Sequence, residues 1–387
     1  MLLLKNGTLH TMEAEGTFPG DLLIADGKIA QIGPHLAPPP ETPTFDARGL
    51  HLFPGILDAH SHIGISEEKV GVQGDDCNEG TNPVTPCLRA IDAINPMDSA
   101  FHNALAAGIT GAMVGPGSAN VVGGQFAFIK TFGRRVDDMA VLAPAAMKIA
   151  FGENPKGNYG LNGNMPATRM GIASLLREQL FQARQYLEQD PAGAPDFEKE
   201  CYRPVFEGKI PLKAHVHRTD DIFTAIRIAQ EFGLGLTLDH CTEGHLIAGA
   251  IAESGFPAIV GPSLASRSKI EVELSDFKTA GVLDKAGVLV AITTDHPVTR
   301  IQHLPLCAAL AAKKGLGEEA AMRAITINAA RICRVDDRLG SLKVGKDADI
   351  AVFDGSPLVI RSEVLLTLVN GEAAYQAPET QHRFGRT

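Results

Sequence analysis

The chain has no tryptophan, and aromatic residues make up only 5% of it. Its core must therefore rest on Leu, Ile, Val and Ala, within an apolar share of 44% that is ample for burial. No apolar run reaches the ~18 residues that suggest a membrane span. The opening Met1-Leu2-Leu3-Leu4 is too short for the apolar centre of a signal peptide, and Lys5-Asn6-Gly7 interrupts it. No Lys/Arg-rich run occurs, and a net charge of −10 argues against a nucleic-acid partner. The cysteines Cys77, Cys87, Cys201, Cys241, Cys307 and Cys333 are scattered, with no Cys-x-x-Cys and no dense framework. That pattern suits a reduced, cytoplasmic setting. The expectation is a soluble protein acting on a small molecule, with no membrane partner and with homo-oligomerisation left open.

What the chain does have is alternation. Short β-type runs at Leu2–Leu4, Thr8–Thr11, Asp21–Ile24 and Lys28–Ile32 open it, with Asp26-Gly27 as a hairpin turn. Pro38-Pro39-Pro40 marks a loop before Thr44–Ala47, and Ala348–Phe353 and Val364–Val369 are strand-like near the other end. These termini are expected to pair into one small β domain, 1–51 with 340–387, around an inserted unit, 52–339. Within the insert, apolar strands are expected at Leu52–Ala59, Ile109–Val114, Gln125–Lys130, Ala145–Ala150, Leu212–Val216, Leu236–Leu238, Ala258–Val260 and Leu289–Thr293. Helical periodicity appears at Thr168–Leu187, Ile222–Glu231 and Glu318–Ile325. Strands separated by helices imply a parallel sheet, and eight of them point to the α/β class and a (β/α)8 TIM barrel. Residues 64–96 and 152–167, rich in Gly, Asn and Pro, read as loops over its mouth.

The chemistry gathers at strand ends. Phe53-Pro54-Gly55-Ile56-Leu57-Asp58-Ala59-His60-Ser61-His62 is an apolar strand ending in two histidines one residue apart, which alternation puts on one face. Two surface histidines would give the same dipeptide pattern, but the apolar lead-in favours a ligand pair. His215 and His217, Asp239-His240 and Asp295-His296 end later strands, and in a parallel barrel such ends converge where active sites lie. His215, His240 and Asp295 are the favoured further ligands, because a buried, unpaired Asp would be costly. His217 is balanced between a site role and a hydrogen bond at the rim. His245 is expected to orient a neighbour or touch substrate, and His296 is left open. His10, His35, His51, His102, His303 and His382 read as structural or exposed. Imidazoles with a carboxylate suit zinc, with manganese or iron as alternatives. Such an ion lowers the pKa of bound water towards ~7, giving hydroxide at neutral pH. Asp295 can then carry the water's proton to a leaving nitrogen. That describes hydrolysis of an amide, amidine or related C–N bond.

These residues, with the tail Thr326–Phe353, resemble the amidohydrolase superfamily. Asn328-Ala329-Ala330-Arg331 and Gly340-Ser341-Leu342-Lys343-Val344-Gly345-Lys346-Asp347-Ala348-Asp349-Ile350 match its C-terminal signature, and the resemblance is nearest to the imidazolonepropionase-related and prolidase-like branch. The resemblance implies a distorted (β/α)8 barrel, a small β-sandwich domain built from both termini, and one or two divalent ions. His60 and His62 would hold the first with Asp295, and His215 and His240 a second, unless His215 joins a single ion. His240 and Asp295 would be the catalytic pair. A bridging group is implied in two-metal members. Lys148, carboxylated by carbon dioxide, is the favoured bridge and Glu153 its rival, against readings as a salt-bridged lysine and a loop or cap residue. Arg169 or Arg218 could grip a substrate carboxylate bidentately, although each could equally be structural. The implied activity is hydrolysis of an amide, cyclic amide or dipeptide-like bond. The alternatives are a mononuclear deaminase of amino-heterocycles, weakened because Thr219 and Asp220, and no Glu, follow His217-Arg218, and a non-catalytic scaffold.

Overall fold

Among the residues described by the computed structural model, 1–68, 71–188 and 195–386, two sheets organise the chain. One is an eight-stranded, nearly closed barrel sheet in sequential order: β1 (Ile56–Ser61), β2 (Ile109–Val114), β3 (Val122–Lys130), β4 (Ala140–Ala150), β5 (Leu212–Val216), β6 (Leu236–His240), β7 (Ala258–Val260) and β8 (Val290–Ile292). Its ends approach at the mouth, where the His62 N–H donates to the His296 carbonyl at 2.9 Å. Helices such as Arg169–Glu188, Thr219–Phe232 and Lys278–Lys285 pack outside; Ile172, Leu176 and Leu180 form the buried stripe of the first. The barrel is thus distorted in a definable way. All neighbouring strands run parallel except β3, which is antiparallel to both β2 and β4. The expected all-parallel sheet fails there for a physical reason. Residues 115–121 and 131–139 are too short for a parallel crossover, which needs roughly a dozen residues, whereas a hairpin link suffices.

The expected strand Leu52–Ala59 is also two strands. His51–Pro54 pairs antiparallel with Ile350–Phe353 in the second sheet, and the chain enters the barrel only at Ile56. Gly55 makes the transition because its backbone lies against the Thr110 side chain, where a Cβ would overlap it. The second sheet joins the two ends of the chain in the order Glu372–Gln376, Val364–Val369, Ile350–Phe353, His51–Pro54, Leu2–His10, Thr17–Ala25 and Lys28–Gly33. Pro43–Asp46, carrying Phe384–Arg386, pairs along the start of Leu2–His10. Asp26 and Gly27 both have left-handed φ, 51° and 74°, as the mirror-image hairpin turn requires. This sheet has its own core, with Leu4, Leu22, Phe45, Leu52, Ile350 and Leu366 fully buried.

The reversed β3 also explains the C-terminal signature. Lys130, at its end far from the mouth, is buried and reaches Asp347 at 2.8 Å, Asp349 at 2.9 Å and Asn370 at 2.5 Å. Arg338 and Lys28 complete the cluster on Asp347. Gly345-Lys346-Asp347-Ala348-Asp349 is therefore an ionic seam between barrel and small sheet. Residues 152–167, expected as loop, begin with a helix, Glu153–Gly160. Among the described residues no helix is long and apolar enough to cross a membrane.

Candidate metal centre

The mouth cavity, about 310 Å³, is lined by His60, His62, Lys148, His215, His217, His240 and Asp295, among others. Strand alternation does bring His60 and His62 to one place: their Nε2 atoms lie 3.3 and 3.2 Å from the same Oδ1 of Asp295. The other ring nitrogens face outward and are fixed. His62 Nδ1 donates to the Gly115 carbonyl at 2.6 Å and His240 Nδ1 to the Gly261 carbonyl at 2.8 Å. His60 Nδ1 meets Asp239 at 2.8 Å, and His217 Nδ1 meets Thr242 Oγ1 at 2.8 Å. A carbonyl can only accept, so for His62 and His240 the proton sits on Nδ1 and Nε2 is the inward atom. Such outer partners hold imidazoles ready for a metal.

Backbone geometry reinforces this aim. His240, Cys241 and Asp295 have φ of 69°, 49° and 52°, a left-handed region that non-glycine residues seldom occupy. Conformations of this kind cost on the order of 1–3 kcal/mol and concentrate at functional sites. Asp239, wholly buried beside His60, is held by Lys213 and Thr237 as well. Its carboxyl resists the upward push of burial because Lys213 and His60 keep it ionised, well below the usual range.

The electrostatics are those of a crowded cation site. Burial alone would raise Asp295, but His240, His60 and His62 hold its carboxyl well below the ordinary range. Burial would lower His62, yet Cys77 and Asp295 outweigh it and lift the imidazole to about 10. Burial lowers His240 to about 3 and takes His215 and His217 well below the histidine range. Lys148, wholly buried, is pushed down to about 8 by that burial.

Whether these residues fit a divalent ion is decided by their unsatisfied atoms. His60 Nε2, His217 Nε2, His240 Nε2 and Lys148 Nζ are buried without hydrogen-bond partners. Native interiors rarely leave such groups orphaned. One ligand atom each of His60, His240 and Asp295 lie within 4.8 Å of one another, as do those of His215, His217 and His240. This donor set fits one or two divalent ions.

The structure does not bring every expected residue there. Glu153 is not beside the strand-end histidines as a bridge: it begins a helix, and its carboxylate accepts the Glu271 N–H at 3.1 Å. Arg169 grips Asp221 with Nε 3.0 Å from both carboxylate oxygens, joining two outer helices. Arg218 pairs with the neighbouring Asp220 at 3.0 Å on the surface. His245 bonds Thr279 at 3.0 Å. None of these lines the cavity. For each of the four, a nearer partner has captured the polar group. His296 is buried, and its Nδ1 accepts the Ile301 N–H at 3.2 Å. Sequence reasoning passed over Lys269, Asn154 and Cys77 in the cavity wall and Glu271 behind it. Their signal was position: Lys269 and Glu271 lie just after β7, at the mouth end of a strand.

Comparisons with known proteins agree with this architecture. The family model described as Amidohydrolase family matches residues 183–375. The crystal structure of an amidohydrolase from Thermotoga maritima MSB8 is 40% identical, covers 97% of this chain and 100% of its own, and superposes with a TM-score of 0.94. Amidohydrolase tasK of Hapsidospora irregularis is 29% identical over 398 residues, 93% of this chain. A D-hydantoinase of Rhizobium radiobacter is 48% identical over 62 residues, 16% of this chain. The chain spans 40% and 13% of the lengths of these last two proteins. On the full-length match to the Thermotoga protein, the chain belongs to the amidohydrolase family.

Proposed function

We propose that this chain is a metal-dependent hydrolase of C–N bonds in an amide, cyclic amide or dipeptide-like substrate, with zinc as the ion. The observation that carries the reading is the convergence of His60 and His62 Nε2 on Asp295 Oδ1 at the barrel mouth, beside the Nε2 atoms of His217 and His240, which are buried without hydrogen-bond partners. His60, His62 and Asp295 would hold one ion, and His215 and His240 would contribute to a second position. When bound, a divalent ion supplies Lewis acidity that polarises a carbonyl and acidifies water. Lys148 Nζ, buried and without a hydrogen-bond partner, is the amine available for carboxylation to a bridging carbamate. Asp295 Oδ2 takes the proton of the attacking water and passes it to the departing nitrogen, while Oδ1 stays with His60 and His62. Gly117, Gly261, Pro262 and Pro297 form part of the cavity wall around these groups. The partial match to a D-hydantoinase, over 62 residues, supports a cyclic amide as the first substrate to try.

A metal-reconstituted screen of hydantoins, lactams, dipeptides, N-acyl amino acids and amino-heterocycles tests this reading. Hydrolysis of one amide class, abolished by a chelator, is expected. Ammonia release from amino-heterocycles would replace hydrolysis by deamination, and no turnover in any class would overturn the reading.

A further inference from the structure

Glu271 has no part in the function proposed above, yet it is only 1% exposed and stands directly behind the strand β5 histidines. Its Oε1 lies 3.8 Å from His215 Nε2 and 3.7 Å from His217 Nε2. Two ligand atoms ~2.1 Å from one tetrahedral ion stand ~3.4 Å apart, so these separations are a small side-chain adjustment away from a shared cation. His217 Nε2 and Glu271 Oε1 are both buried and without hydrogen-bond partners.

The carboxylate is held from behind. The Glu153 N–H donates to Glu271 Oε2 at 2.8 Å, and the Glu271 N–H returns a bond to Glu153 Oε1. Gly152, at φ 81°, leaves the space that Oε2 fills; a Cβ there would overlap it. This accounts for Oε2 and leaves Oε1 facing the histidines. Lys269 Nζ approaches Oε1 at 2.6 Å, off hydrogen-bond alignment, from a side chain 23% exposed on the cavity wall. A long, partly exposed lysine can withdraw its head to water, whereas the buried imidazoles cannot move.

Charge supplies the remaining reason. His215, His217 and His240 offer only imidazole nitrogens to this position. A buried dication on neutral imidazoles needs an anion to compensate it. We infer that Glu271 supplies a carboxylate ligand to a second divalent cation held with His215 and His217. This inference rests on the reading of the cavity as a metal centre. It gives Glu153 and Gly152 a definite task, and Asn154, which accepts from Lys269 at 2.9 Å, keeps a partner for that lysine when its head leaves Oε1.

The test is calorimetric titration of the chelator-stripped full-length protein with zinc, at fixed bicarbonate, in the wild type and in Glu271→Gln. The amide oxygen of Gln can still accept the Glu153 N–H, which favours retention of the fold. Two equivalents in the wild type are expected, with the weaker site weakened at least about tenfold in Glu271→Gln, a ligand-level loss. A second equivalent of unchanged affinity in Glu271→Gln overturns the inference, and so does a wild type that takes only one. In the latter case the hydrolase reading survives on His60, His62 and Asp295, whereas no zinc uptake at all removes both. Should Glu271→Gln not fold, Glu271→Asp, which withdraws the carboxylate by one methylene, is expected to weaken the second site alone.

Discussion

Lys148 and Lys130 are both buried lysines on barrel strands, and they are opposite in every other respect. Lys130 sits at the end of β3 away from the mouth and bonds Asp347, Asp349 and Asn370. Lys148 sits inside the mouth with no hydrogen-bond partner for its Nζ, which faces the Phe126 ring 5.5 Å away. A buried charge that is fully paired belongs to the framework, because removing it strands its partners. A buried amine left unpaired contributes nothing to the framework and is retained at a cost. The same contrast separates the seam from the cavity as a whole: charges satisfied at one end, nitrogens orphaned at the other.

Four substitutions or conditions sharpen or break that contrast. The largest effect is expected from Asp295→Asn, which should lower turnover of the substrate found by the screen by about 10²–10⁴-fold. Thermal unfolding of that variant in chelator should fall below the wild-type midpoint, since it removes the carboxylate that His60 and His62 share. Next, Lys130→Met should lower the unfolding free energy in urea by about 3–5 kcal/mol, because Asp349 is left buried without its counter-ion. If Lys130→Met is as stable as the wild type, the seam is not what joins barrel to sheet.

The seam also sets an acid limit. Burial opposes ionisation of Asp347, but Lys130, Lys28 and Arg338 bring its carboxyl from the usual 3.8 down to about 2. A depressed carboxylate stabilises the fold fully above the unfolded value and loses that stability as pH falls through the folded one. Unfolding free energies measured between pH 5 and pH 2 should therefore drop below about pH 4, and less steeply in Asp347→Asn. The smallest effect is expected for Lys148→Met, whose stability should lie within about 1 kcal/mol of the wild type or above it. A loss comparable to that of Lys130→Met would erase the distinction between the two lysines.

Much of the fold was legible in the sequence because local signals and burial agreed. Every expected barrel strand has a counterpart, since short apolar runs separated by turn or helix signals leave little choice. The reversal of β3 was not legible from strand content; it shows only in the short links either side of it. The break at Gly55 was hidden because one apolar run serves two sheets. At the mouth, His60, His62, His215, His240 and Asp295 are assembled by strand ends that periodicity could find. Arg169 and Arg218 misled because a sequence shows a charge but not the carboxylate that neutralises it. Asp221 and Asp220, one helical turn or less away in space, do so. Glu271 was invisible for the converse reason. Its placement depends on Glu153 and Gly152, more than a hundred residues earlier, meeting it across the barrel. Cys87 and Cys201 likewise meet at 3.3 Å without any spacing that announces it.

The central claim is that the orphaned nitrogens around Asp295 form a cation site. Zinc retained by the chelator-stripped, reloaded and desalted wild-type protein, read by elemental analysis, tests it most directly. The account predicts at least about one equivalent per chain, with a raised thermal midpoint as binding to the folded state requires. Retention below about a tenth of an equivalent, with no shift of the midpoint, would contradict it.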